Sequence, residues 1–111
     1  MEKINQYRQY IQNVLKEYAE NAPSDEDVEV NLSFDLERDH YHIFNIGWLK
    51  RRRIYGCVLH LNIKNDKIWI QHDGTEIGIA NKFIQLDVPK QDIVLGFHSP
   101  YRRQFTGFAI Q

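Results

Sequence analysis

The sequence predicts a single α+β domain over residues 1–111: an N-terminal helix and a second helix packed on a mostly antiparallel, twisted sheet of about five strands. Three observations predict it. Apolar residues recur every three or four positions at the start of the chain, the period drops to two at Val28, and turn-forming residues divide the remaining chain at short intervals.

In the first segment, "EKINQYRQYIQNVLKEYAE", Ile4, Tyr7, Ile11, Val14, Leu15 and Tyr18 line one face of an amphipathic helix. Pro23 and the run Ser24–Asp25–Glu26–Asp27 end it. Val28, Val30, Leu32, Phe34 and Leu36 then alternate with polar residues as a half-buried strand. After the polar turn "ERDH", a second strand covers Tyr41 to Trp48, with Phe44, Ile46 and Trp48 on one face and Tyr41 and Ile43 on the other. "LKRRR" leads to a third strand, Ile54 to Ile63, whose simple alternation puts Tyr55, Cys57, Leu59, Leu61 and Ile63 on one face, opposite Val58 and His60. "KNDK" is a hairpin signal, and Ile68 to His72 is the fourth strand of a meander.

Beyond Gly74 the spacing of Ile77, Ala80, Phe83 and Ile84 predicts the second helix, which Asp87–Val88–Pro89 stops. "PKQD" suits a short helical turn, and "IVLGF" a brief strand or a buried extended segment. The tail "HSPYRRQFTGFAIQ" is aromatic and basic, without clear periodicity. Exposed aromatics on the first helix and a two-faced second helix point to a homodimer.

Composition narrows the function. At 111 residues and 42% hydrophobic content, the chain builds one thin core that a deep cleft would consume. A single cysteine, Cys57, allows no intrachain disulfide and fits a reducing compartment. No apolar run reaches the roughly 20 residues a membrane span needs, and "MEKINQYRQY" lacks a signal peptide's apolar centre. A cytoplasmic protein is expected. The net charge of −1 argues against a dedicated nucleic-acid binder, but the charge is polarised. Residues 1–49 carry 4 Lys/Arg against 10 Asp/Glu, and residues 50–111 carry 10 against 5.

The stretch "IQHDGTEIG" gathers His72, Asp73 and Glu76 where the strand hands over to the helix. Asp73-Gly-Thr-Glu76 has capping-box spacing, with Asp73 as N-cap and Glu76 reaching back, so it reads as architecture and not as a catalytic or metal site. His40 and His42 share a strand face, and His60 on the next strand could complete a metal site, the basis of a hydrolase reading. The favoured alternative is a polar, partly solvated sheet face. Ser24, Ser33 and Ser99 lack a nucleophile elbow, Cys57 reads as a core thiol, and "GTEIG" lacks the Lys of a phosphate loop. No catalytic residue, metal or cofactor is expected.

The basic clusters carry the functional expectation. Lys50 with Arg51, Arg52 and Arg53 sits at a hairpin tip, and Arg102 and Arg103 lie beside Tyr101 and Phe105. Arginine forks pair with carboxylate or phosphate, and aromatics stack on guanidinium planes or bases. Arg51, Arg52, Arg53, Tyr101, Arg102 and Arg103 are therefore the expected partner contacts, and Trp48 and Trp69 are either anchors beside them or packed into the core or a sheet face. The modest net charge favours a protein partner, and direct DNA binding through the same arginines is the alternative.

The stretches "FDLERDHYHIFNIGW", "RRIYGCVLHLNIKNDKIWIQHDGTEIGIAN" and "DVPKQDIVLGFHSPYRRQFTGFAI", with the opening "INQYRQYIQNVLKEYAE", closely resemble the XisI family, the fdxN element excision controlling factors. The resemblance covers nearly the whole chain. It implies a cyanobacterial-type, non-enzymatic accessory protein that regulates programmed excision of a DNA element. It also implies an XisH-like protein as partner, beside a site-specific recombinase, and supplies no catalytic motif.

Overall fold

The computed structural model describes residues 2–22 and 25–111. Helix α1 (Glu2–Asn21) precedes strands β1 (Val28–Asp35), β2 (His40–Leu49), β3 (Arg52–Lys64) and β4 (Lys67–Asp73). Helix α2 (Ala80–Gln85), a short 3-10 turn at Lys90–Asp92, strand β5 (Ile93–Leu95) and helix α3 (Pro100–Arg103) complete the chain. The expected α+β architecture is present. The five strands form one sheet in chain order; the first four are antiparallel and β5 runs parallel to β4. Pro23 and Ser24, expected to end α1, lie outside the described residues. Among the described residues no helix is long and apolar enough to cross a membrane.

Turn chemistry fixes the meander. Asn65 and Asp66 both adopt positive φ (54° and 63°), the conformation of a two-residue hairpin turn, and Lys50 (56°) does the same at the β2–β3 turn. At the end of α2, Val88 N–H donates to the Phe83 carbonyl and Asp87 N–H to that of Ile84, with Asp87 left-handed at φ 64°. Pro89 then blocks further helix.

One side of the sheet holds the main core. Tyr7, Ile11, Val14 and Leu15 of α1 meet Tyr41, Ile43, Leu59, Leu61, Ile68 and Ile70, and Ile79 and Phe83 close the end. Tyr10 and Tyr18 also pack on this core, so the first helix spends its aromatics inward and offers no exposed aromatic stripe. On the opposite side, the tail lays Ala109 against Trp69 and Val94 as a second small cluster.

Two bulges decide what reaches each side. Ile43 pairs with Leu59 but Phe44 with Cys57, so Val58 is an extra residue in β3. The expected single face therefore splits: Leu59 and Leu61 are buried under α1, whereas Tyr55 and Cys57 turn to the other side with His60. A second bulge makes Gln71 extra in β4 and brings His72 opposite His60.

Beyond Asp73, β4 ends while β1, β2 and β3 continue, so a three-stranded arm projects from the body. The radius of gyration, 14.6 Å, exceeds the roughly 13 Å expected for a compact chain of this length.

Candidate functional site

The polar groups after β4 serve the backbone. Asp73 Oδ1 accepts hydrogen bonds from the Thr75 amide (2.9 Å) and hydroxyl, and Oδ2 accepts from the Ile79 amide at 2.7 Å. This is not the expected capping box: α2 begins only at Ala80, and its N-cap, Ile79, has no side-chain cap. Gly78 at φ 77° delays the helix, since a left-handed residue cannot sit in its first turn. Asp73 therefore pins the loop that leads into the helix, and Glu76 takes no part.

The histidines converge more than their spacing showed. On the side of the sheet away from α1, His42 pairs with His60 and His60 with His72. The His42 and His60 rings stack at 4.0 Å between centroids, and His40 Nδ1 lies 3.1 Å from His60 Nε2. Burial, reinforced by His42, His40 and His72, pushes the His60 pKa down to about 4, and burial lowers that of His42. Among the described residues no three His, Cys, Asp or Glu side chains are placed to hold a metal.

Two of the candidate nucleophiles, Cys57 and Ser99, are occupied otherwise. The Cys57 thiol donates to the Leu59 carbonyl (3.1 Å), and burial raises its pKa. The Ser99 hydroxyl caps α3 by accepting from the Arg102 amide at 3.3 Å.

The two basic clusters prove to be different objects. At the β2–β3 tip, Arg51, Arg52 and Arg53 are all exposed. The Arg53 guanidinium lies 5.4 Å from the Trp48 ring centroid and 5.8 Å from that of Tyr55, a cation sandwiched by aromatics that are 50% and 67% exposed. Sequence periodicity missed Tyr55 because the Val58 bulge moves it to this face. The acidic turn Asp25–Asp27 borders the tip: the Trp48 amide donates to the Asp27 carbonyl at 2.9 Å, yet no ion pair within 4 Å joins turn and tip among the described residues.

In the tail, Tyr101 is 69% exposed and packs edge-on against the exposed Phe105 at 5.4 Å, with Arg102 exposed beside them. Arg103 is committed inward. Its Nε donates to the His98 carbonyl (3.0 Å), its two terminal nitrogens to the Gly96 and Ile110 carbonyls (3.3 Å each), and its plane lies 5.2 Å from the Trp69 ring. Trp69 is 6% exposed and its Nε1 donates to the Lys64 carbonyl, so it anchors the tail and is not presented to a partner. The clusters do not merge. The tip lies beyond the end of β4, on the order of 20 Å along the strands from the β5 edge that carries the tail.

The XisI protein family model matches residues 1–110. Among solved structures, a XisI-like protein from Anabaena variabilis is 42% identical at a TM-score of 0.93, over 97% of this chain and 99% of that one. The fdxN element excision controlling factor XisI from Anabaena variabilis is 38% identical at a TM-score of 0.87, over 98% and 99%. No curated protein sequence matches the chain significantly.

Proposed function

This chain belongs to the XisI family, and on that premise we propose that it is a non-catalytic controlling factor for excision of a DNA element, acting in the cytoplasm by binding an XisH-like protein in the recombination machinery. The contact surface is the tip of the β2–β3 arm, Arg51, Arg52 and Arg53 with Trp48, extended by Tyr101 and Arg102 of the tail. Arg103 contributes by holding the tail in shape.

The observation that carries this reading is the Trp48–Arg53–Tyr55 sandwich: a fixed guanidinium among exposed aromatics, the residue types that dominate protein interfaces. The acidic turn Asp25–Asp27 beside it supports a protein partner over DNA, because a phosphate backbone crossing the tip would meet those carboxylates as well as the arginines. Control by occupancy also agrees with a family in which one member is described as an excision controlling factor.

The test is titration of the XisH-like protein into this chain and into a variant with Arg51, Arg52 and Arg53 changed to Ala. Loss of about tenfold or more in affinity is expected, equivalent to about 1.4 kcal/mol. Unchanged affinity would remove the arm tip from the interface. Titration with duplex DNA separates the alternative: binding that falls steeply with salt, and weakens in the same variant, would assign the arginines to phosphate instead.

A further inference from the structure

Strand β3 is half uncovered. Its second half, Leu59 to Lys64, pairs with β4, and the last bond from that side is Gly74 N–H to the Val58 carbonyl at 2.8 Å. From Arg52 to Cys57 it pairs with β2 on one side only, and an open depression of about 370 Å³ lies over this segment, lined also by Asn45 of β2. Unpaired strand edges of this length are normally blunted by proline or charged side chains, covered by another segment, or paired, and the charges here, Arg52 and Arg53, stand only at the outer end. No proline occurs between residues 52 and 58, and the bulge at Val58 marks only the inner limit of the edge. Space is available too, since a methyl group built on Gly56 would find no atom within 4 Å.

We propose that this edge is completed by the same edge of a second copy, antiparallel about a two-fold axis at Tyr55, giving a homodimer with one continuous ten-stranded sheet. Charge selects this occupant. Tyr55 is the midpoint of Arg53–Cys57, the stretch that can pair before the Gly74-to-Val58 bond closes the edge, so Arg53 falls opposite Cys57 of the second copy and no arginine faces an arginine. The next residues outward, Arg52 and Arg51, reach the place where the second copy's β4 ends, at Asp73, Gly74 and the exposed Glu76. The edge is thus complementary to itself, as a closed two-fold interface requires. Main-chain bonds carry the pairing, which leaves Trp48 and Arg53 of both copies on a shared sheet face and is independent of which protein binds there.

Sedimentation velocity of the full chain, 13.3 kDa as a monomer, should show a species of twice that mass. Tyr55→Lys places two ammonium groups at the axis and should weaken the dimer at least about tenfold with an unchanged far-UV circular dichroism spectrum. In a Cys57→Ser background, Tyr55→Cys should oxidise to a disulfide-linked dimer, since residues at a two-fold axis of paired strands are near disulfide reach. The native Cys57, displaced two residues from the axis in each copy, should not cross-link. A monomer at tens of micromolar, an open series of larger species, or a dimer that neither forms the Tyr55→Cys cross-link nor responds to Tyr55→Lys would overturn the proposal. If Tyr55→Lys fails to fold, the cross-linking variant decides alone.

Discussion

His40 Nδ1 lies 3.1 Å from His60 Nε2, in the middle of a row of imidazoles that crosses β2, β3 and β4. A contact this short needs one nitrogen to donate and the other to accept, so at least one of the two rings is neutral. In the unfolded chain His60 takes up its proton near 6.5, whereas in the folded protein burial and its neighbours delay this to about 4. Between those values the unfolded state binds more protons, so stability falls as pH drops across that window. His60 is partly solvated, which limits its own share to about 1–2 kcal/mol after screening. Chemical denaturation at pH 7 and pH 4.5 should show the loss, and His60→Gln should flatten it. Equal sensitivity in that variant would move the effect to other groups.

Arg103 closes the tail by donating to three carbonyls over the Trp69 ring. Arg103→Ala should cost about 2 kcal/mol, from lost charge-assisted bonds and the cation–ring contact. Lysine should not rescue it, because one ammonium cannot span three carbonyls in a plane. Trp69 fluorescence, sensitive to water entry under the tail, provides the second readout, and a spectrum identical to wild type would show that the tail holds without the guanidinium.

Arg8 grips Asp39 with a two-point fork, Nε to Oδ1 at 2.7 Å and a terminal nitrogen to Oδ2 at 3.1 Å, while the buried Tyr41 hydroxyl donates to Oδ1 at 3.0 Å. The Arg8 hydrogen bonds chiefly hold the Asp39 pKa below the usual carboxylate range. Its contribution is present above that range and is lost as pH falls through the depressed value. Arg8→Ala should therefore lower Tm at neutral pH, and the gap from wild type should narrow in strong acid. A gap constant with pH would mean that Arg8 acts through packing alone.

The elements were legible in the sequence wherever one period held. The amphipathic face of α1, the meander and the Asn65–Asp66 hairpin all derive from residue spacing and turn chemistry. The faces were legible only up to the first bulge. Val58 shifts the pleat by one, so Tyr55 and Cys57 leave the side that strict alternation assigned them, and with Tyr55 goes half of the aromatic sandwich around Arg53. No local signal marks such an insertion, because Val58 fits a strand as well as its neighbours do. Arg102 and Arg103 are likewise adjacent and alike in sequence. Only the fold shows that one is exposed and the other is bonded to carbonyls at Gly96, His98 and Ile110, positions that come together when the tail folds back over Trp69. The histidine row escaped complete description for the same reason: His72 joins it through the Gln71 bulge.

Of the glycines, Gly47 has the least room for a side chain. A β-carbon there would stand 2.0 Å from the Asp27 carbonyl oxygen and 2.7 Å from the Val28 α-carbon. Both are backbone atoms, held by the Trp48-to-Asp27 bond that starts the β1–β2 pairing. Gly47→Ala must therefore push the start of β1 away from β2 and should cost about 2 kcal/mol or more. Gly56→Ala, one strand over on the same arm, meets nothing and should leave monomer stability within about 0.5 kcal/mol. Urea denaturation of the two variants side by side is the measurement. A Gly47→Ala protein as stable as Gly56→Ala would mean that β1 does not close on β2 at this point, and the acidic turn would then no longer be held against the arginine tip.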